Sequence, residues 1–141
     1  MTAQAASAVA RRTAYLKFAG LAIAIVALVA AIGWKPTEQL AGGEGVKAML
    51  VGCGLSLLAS LLGALPVAFG DPSPTMATTW TLAATAIRLA VAVLGAVVVL
   101  LSGRFAAAPL LLWVALSHGA LLVVDARFAL QINRGPKAER E

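Results

Sequence analysis

The sequence predicts an all-α integral membrane protein, a four-helix bundle with N- and C-termini cytoplasmic. Three observations carry this. Apolar residues fill 61% of the 141 positions and charged residues only 12%, against roughly 45–50% and 25% in soluble domains. The apolar residues gather into four runs, each near the length of a bilayer crossing. The basic residues are shared unequally among the segments that join the runs. A mean hydropathy of +0.93 excludes a soluble globular enzyme, a disordered tail and a disulfide scaffold, because too little polar surface remains to cover a core in water.

The first run is Phe18–Trp34, extended back to Ala14 if Lys17 lays its stem along the helix. Ala48–Gly70 has 23 residues without a charge, and Trp80–Ser102 has 23 with Arg88 alone. Phe105–Val124 has 20 residues and one His. About 20 residues cross ~30 Å of hydrocarbon as a helix, so the expected spans are about 14–34, 48–70, 80–102 and 105–126. Helices satisfy their own backbone in lipid, and the alternation of a membrane barrel is absent.

The joints follow from turn chemistry. Residues 35–45, with Pro36 and three glycines, read as a polar loop. Asp71-Pro72-Ser73-Pro74 reads as a second break, with Thr78 or Thr79 capping the third span. Gly103-Arg104 is so short that spans three and four should form a tight antiparallel hairpin. Pro66 should kink or end the second span. Residues 1–13 and 133–141 remain as cytoplasmic ends. Arg11-Arg12 ahead of an apolar run resembles a secretory or twin-arginine signal. The run is longer than a typical signal core and more spans follow, so an uncleaved signal-anchor is expected.

With four spans, one side carries Arg11, Arg12, Lys17, Arg127, Arg134, Lys137 and Arg140, and the other Lys35, Lys47 and Arg104. That asymmetry places both termini in the cytoplasm. The positive charge is then a topology signal and a contact for anionic lipid. No aromatic-interleaved basic patch points to nucleic acid.

Arg88 is the sharpest feature. An Arg near a helix centre costs about 2.5–3.5 kcal/mol on insertion scales, so something should offset it. Thr81, Thr85, Arg88, Ala92 and Gly95 share one small, polar face, which should point into the bundle. On the fourth span His118 and Asp125 lie two turns apart on one face. An Arg88–Asp125 ion pair with His118 beside it is therefore expected. The plainer readings are an Arg88 that snorkels to the headgroups, an Asp125 solvated at the interface and a His118 bonded to its own backbone. A lone His118 lacks a second haem ligand in this chain, and neither it nor the lone Cys53 makes a zinc site. No cofactor or metal is expected.

Gly52, Ser56, Ser60 and Gly63 recur at helical spacing on the second span, and Gly20, Ala24, Ala27 and Ala31 on the first. Such stripes let another helix approach closely. They serve either internal packing or docking of a second membrane protein.

The order of features resembles the ATP synthase protein I family, small membrane proteins encoded beside bacterial F-type ATP synthase subunits. The residues that carry the likeness are Ala86-Ile87-Arg88-Leu89-Ala90-Val91-Ala92-Val93-Leu94, the turn Ser102-Gly103-Arg104-Phe105, and Pro109-Leu110-Leu111-Leu112-Trp113-Val114. Gly54-Leu55 and Leu65-Pro66 on the second span also fit. The likeness covers roughly residues 14–132. Many members carry Gly-Glu-x-x-Lys on span three; here the acid is missing, Arg88 stands for the cation, and Asp125 is its candidate replacement. The resemblance implies a non-catalytic accessory protein of the bacterial inner membrane. Such a protein assists assembly or stability of the rotor ring, whose Gly- and Ala-rich hairpins suit docking on a small-residue stripe such as Gly52, Ser56, Ser60 and Gly63. A role in Mg²⁺ supply has also been proposed for the family. Two rival classes are a small oligomeric transporter, with Arg88, Asp125 and His118 lining the path, and a membrane anchor of a redox complex. The oligomeric state is left open by the sequence.

Overall fold

The computed structural model describes residues 3–70 and 74–133. They form three helices, α1 (Ala3–Phe69), α2 (Pro74–Leu101) and α3 (Ala107–Asn133), with no strand among the described residues. This corrects the expected four-helix bundle. Three candidate spans, Val9–Phe69, Thr78–Leu101 and Ala107–Phe128, take the place of four. The expected break at 71–73 and the tail at 134–141 lie outside the described residues.

The first two expected spans merge because residues 35–45 are not a loop. The backbone is helical up to Ala41 and again from Gly43, and only Gly42 departs, at φ 63° and ψ −166°. That region is essentially restricted to glycine, since any Cβ clashes there. One residue of mirror-image conformation redirects the chain without a connecting loop. α1 therefore doubles back on itself, as its internal contacts show. The Tyr15 hydroxyl donates to the Leu61 carbonyl at 3.1 Å across 46 positions, which in a straight helix would stand about 69 Å apart. Arg11 Nη1 donates to the Gly70 carbonyl at 3.0 Å.

The two arms of α1, 3–41 and 43–69, are zipped by apolar contacts. Ala22 and Val26 meet Val46, Met49 and Cys53 nearer the bend, with Leu121 of α3 joining them. Phe18 meets Ala64 and Ala68 at the other end, together with Val124 and Phe128 of α3. Pro66 neither ends nor interrupts the helix, which continues to Phe69, and Gly70 N donates to the Pro66 carbonyl at 2.8 Å.

α2 starts at Pro74, where a missing N–H costs nothing, so Thr78 and Thr79 lie inside the helix rather than capping it. α2 ends at Leu101, and Gly103 takes a left-handed φ of 65° just beyond. The expected tight α2–α3 hairpin is also corrected. The two helices share few contacts, and each packs chiefly against α1. The buried face of α2 is Ala84, Arg88, Ala92 and Ala96, a repeat of four that keeps one narrow stripe on α1. Thr85, expected on that inner face, is exposed and donates to the Thr81 carbonyl at 3.0 Å.

The exterior is apolar. Leu82, Leu89, Leu94 and Val98 of α2 are each at least 60% exposed, a surface that suits hydrocarbon and would aggregate in water. The interior holds mostly alanine, glycine and serine, as in membrane helices that pack by close approach rather than by hydrophobic exclusion. Three helices among the described residues are thus long and apolar enough to cross a membrane, as a membrane protein requires.

Gly42 yields a direct test. Gly42→Ala should destabilise the fold by about 1–3 kcal/mol. Gly43→Ala, one residue into the helix with open space around its Cβ position, should be neutral or slightly stabilising. Thermal unfolding of both variants in detergent checks the contrast.

Candidate functional site

The three helices meet at one buried polar junction. On α2, Arg88 is 8% exposed, and on α3, Asp125 is 6% exposed. Arg88 Nη1 lies 3.0 Å from Asp125 Oδ2. Ser60, on the second arm of α1 and fully buried, donates its hydroxyl to Asp125 Oδ1 at 2.7 Å. The carboxylate is thus held through both oxygens, by a different helix at each. Arg88 is drawn inward instead of snorkelling to the headgroups.

Gly63 makes the approach possible. A Cβ there would sit 3.0 Å from the Ala84 carbonyl oxygen and 3.0 Å from Arg88 Cβ. Without a side chain at 63, the Arg88 stem lies directly on the α1 backbone. Gly52 does the same for α3, since a Cβ at 52 would stand 2.8 Å from the Leu110 carbonyl oxygen. Ser56, also fully buried, donates to the Val114 carbonyl at 3.1 Å. The whole stripe Gly52, Ser56, Ser60 and Gly63 is therefore occupied by the chain's own α2 and α3, and no partner helix can reach it.

His118 is half-buried on α3, two turns before Asp125, within electrostatic reach of both Arg88 and Asp125. Its Nδ1 is buried and has no hydrogen-bond partner. Arg88 Nε is likewise buried and unpartnered. The Arg88–Asp125 contact is a close ion pair whose angle falls outside hydrogen-bond geometry. The junction therefore carries two charges, one imidazole and two unused polar nitrogens in a low-dielectric interior. It contains no serine or cysteine aligned with His118 as a nucleophile. Among the described residues no group of three His, Cys, Asp or Glu could hold a metal ion.

Helical spacing assigns Ser60 to the packing stripe but does not single it out as the partner of Asp125. Its signal was available in principle, because a serine on a small-residue stripe is the one member that can hydrogen-bond across helices. A second polar contact was hidden by the reading of residues 35–45 as a loop. Trp113 Nε1 donates to Thr37 Oγ1 at 3.0 Å, and Thr37 in turn donates to Met49 Sδ at 3.5 Å. Gly33 leaves the room in which the Trp113 ring lies. This contact ties the start of α3 to the bend end of α1. The other small-residue stripe, Gly20, Ala24, Ala27 and Ala31, faces outward and is exposed.

Fold and junction together define a small all-helical membrane protein closed by an internal ion pair. No family model, no curated protein and no solved structure matches the chain. The resemblance to the ATP synthase protein I family stands on the residue pattern alone.

A double-mutant cycle tests the junction. Arg88→Gln or Asp125→Asn alone should cost about 3–5 kcal/mol, since each strands a buried charge, and the double variant should cost clearly less than the sum. Ser60→Ala should cost about 1.5–3 kcal/mol. Unfolding in detergent is the measurement, and additive costs would show that the pair is not coupled.

Proposed function

We propose that the chain is a non-catalytic accessory protein of the bacterial inner membrane that assists assembly or stability of the F-type ATP synthase rotor ring. The residue pattern of α2, the Gly103 turn and the entry into α3 supports this reading through the resemblance already described. The observation that carries it is the outward stripe Gly20, Ala24, Ala27 and Ala31. These four residues are exposed, and a Cβ added at Gly20 would meet nothing within 4 Å. A smooth surface of this kind lets a second helix come close enough for backbone contact. Gly- and Ala-rich rotor hairpins have the matching surface. Arg88, Asp125, Ser56 and Ser60 of the interior, by contrast, are engaged in holding the chain's own helices together.

A second reading is favoured by one observation. Arg88 Nε and His118 Nδ1 are buried without partners, as in a path that briefly holds an anion or a proton. In that reading the chain is a small transporter or ion-conducting protein, and flux in liposomes carrying purified protein should fall with Arg88→Gln.

The two readings separate cleanly. Tagged protein should co-purify with the rotor subunit or its ring, and Gly20→Leu with Ala24→Leu should abolish that capture while leaving the unfolding curve unchanged. An unchanged ring yield after deletion of the gene, in normally respiring cells, rejects the assembly role.

A further inference from the structure

A groove with a cavity of about 650 Å³ runs between the first arm of α1 and the C-terminal part of α3, within the roughly 300–1,000 Å³ range of ligand sites. Its floor is apolar. Phe18, Val124 and Phe128 are 4%, 5% and 6% exposed, and the rings of Phe18 and Phe128 lie 4.6 Å apart between centroids. Its rim is cationic. Lys17 comes from α1 and Arg127 from α3, both exposed.

Among the described residues these two cations are the only charged side chains that line the groove. Arg88 has Asp125, Lys47 has Glu44 at 2.7 Å, and Arg11 is held by the Gly70 carbonyl. Among the described residues Lys17 and Arg127 have no ion pair and no hydrogen bond. No acidic residue lines the groove. Lys17 immediately precedes the apolar run Phe18–Trp34 and Arg127 follows the run expected to end near 126, where hydrocarbon gives way to headgroups. Two free cations at that depth, above an aromatic floor and between two membrane helices, match a molecule with a negative head and an apolar tail.

We propose that this groove binds an anionic phospholipid, with its phosphate between Lys17 and Arg127 and an acyl chain against Phe18, Val124 and Phe128. The two cations supply headgroup selectivity, since a zwitterionic lipid brings a positive group to the same rim. The apolar floor distinguishes a lipid from a free phosphate. The site is separate from the Arg88 junction and independent of the proposed role in assembly.

Delipidated full-length protein in detergent is titrated with phosphatidylglycerol, with phosphatidylcholine and with inorganic phosphate, and bound lipid is read by native mass spectrometry. Phosphatidylglycerol should be retained about thirtyfold over phosphatidylcholine, about fivefold for each cation, and inorganic phosphate should not compete. Lys17→Gln with Arg127→Gln should bring the ratio close to one, and Lys17→Arg with Arg127→Lys should keep it. Both side chains are exposed and unpaired, so the substitutions leave the packing untouched. Lys35→Gln with Arg104→Gln should leave the preference in place. Equal retention of the two lipids by the unaltered chain overturns the proposal. So does an unchanged ratio in the Lys17→Gln, Arg127→Gln protein, or an equal fall in the Lys35→Gln, Arg104→Gln protein. Displacement of the lipid by phosphate assigns a free-anion site and overturns it as well.

Discussion

A charge held inside a membrane protein needs a partner, and this architecture is organised around that requirement. Arg88 sits in a helix whose other faces are largely alanine, leucine and valine, and Asp125 in one that is nearly as apolar. Their 3.0 Å contact joins α2 and α3, which otherwise meet little because each packs chiefly against α1. Ser60 adds the third element through its 2.7 Å bond to the same carboxylate. A buried ion pair is weak evidence of net stability, because desolvation offsets much of the attraction. Its strength here is geometric. Leaving either charge alone is expensive, so only the arrangement in which all three elements converge at this depth is tolerated. The small residues Gly52, Ser56 and Gly63 set how close the helices come, and the ion pair sets their register.

The second constraint is the doubling back of α1. A helix of 67 residues would be about 100 Å long if straight, more than three times a hydrocarbon core. Gly42 resolves this with a single residue of mirror-image backbone. The chain then needs contacts along the whole length of the two arms, and it has them. Thr37 meets Met49 near the bend, Ala22 and Val26 share an apolar cluster with Val46, Met49 and Cys53, and Tyr15 and Arg11 hold the far end. Trp113, hydrogen-bonded to Thr37, locks α3 to the bend end. α1 thus serves as the platform on which the other two helices lie.

Much of this was legible from residue type alone. A lone Arg in a run of Val and Leu demands compensation, and Asp125 two turns from His118 was the available acid, so their meeting could be anticipated from helical spacing. The outward Leu and Val of α2 follow from the same count. Three things were not legible. The glycines at 42, 43 and 45 signal a turn, but glycine content does not distinguish a flexible loop from a single reversed residue between two helices. The connection of α2 to α3 is short, but shortness fixes only where the ends meet and not which surfaces pack. Thr85 has the periodicity of the inner face yet lies outside, because the α2 stripe repeats every four residues and is narrower than a polar-face count suggests.

The sequence by itself determined the solvent and the helical state. An apolar majority with few charges belongs in lipid, and in lipid the backbone must be helical to satisfy its own hydrogen bonds. It also determined which residue would carry the greatest electrostatic cost. Only the tertiary structure decided which small-residue stripe is used up and which stays open, because Gly52–Gly63 and Gly20–Ala31 are equivalent as patterns. Helical periodicity assigns residues to a face but cannot say what that face meets. The reversal at Gly42 and the ion pair at Arg88 supply that answer by placing α2 and α3 against the second arm of α1.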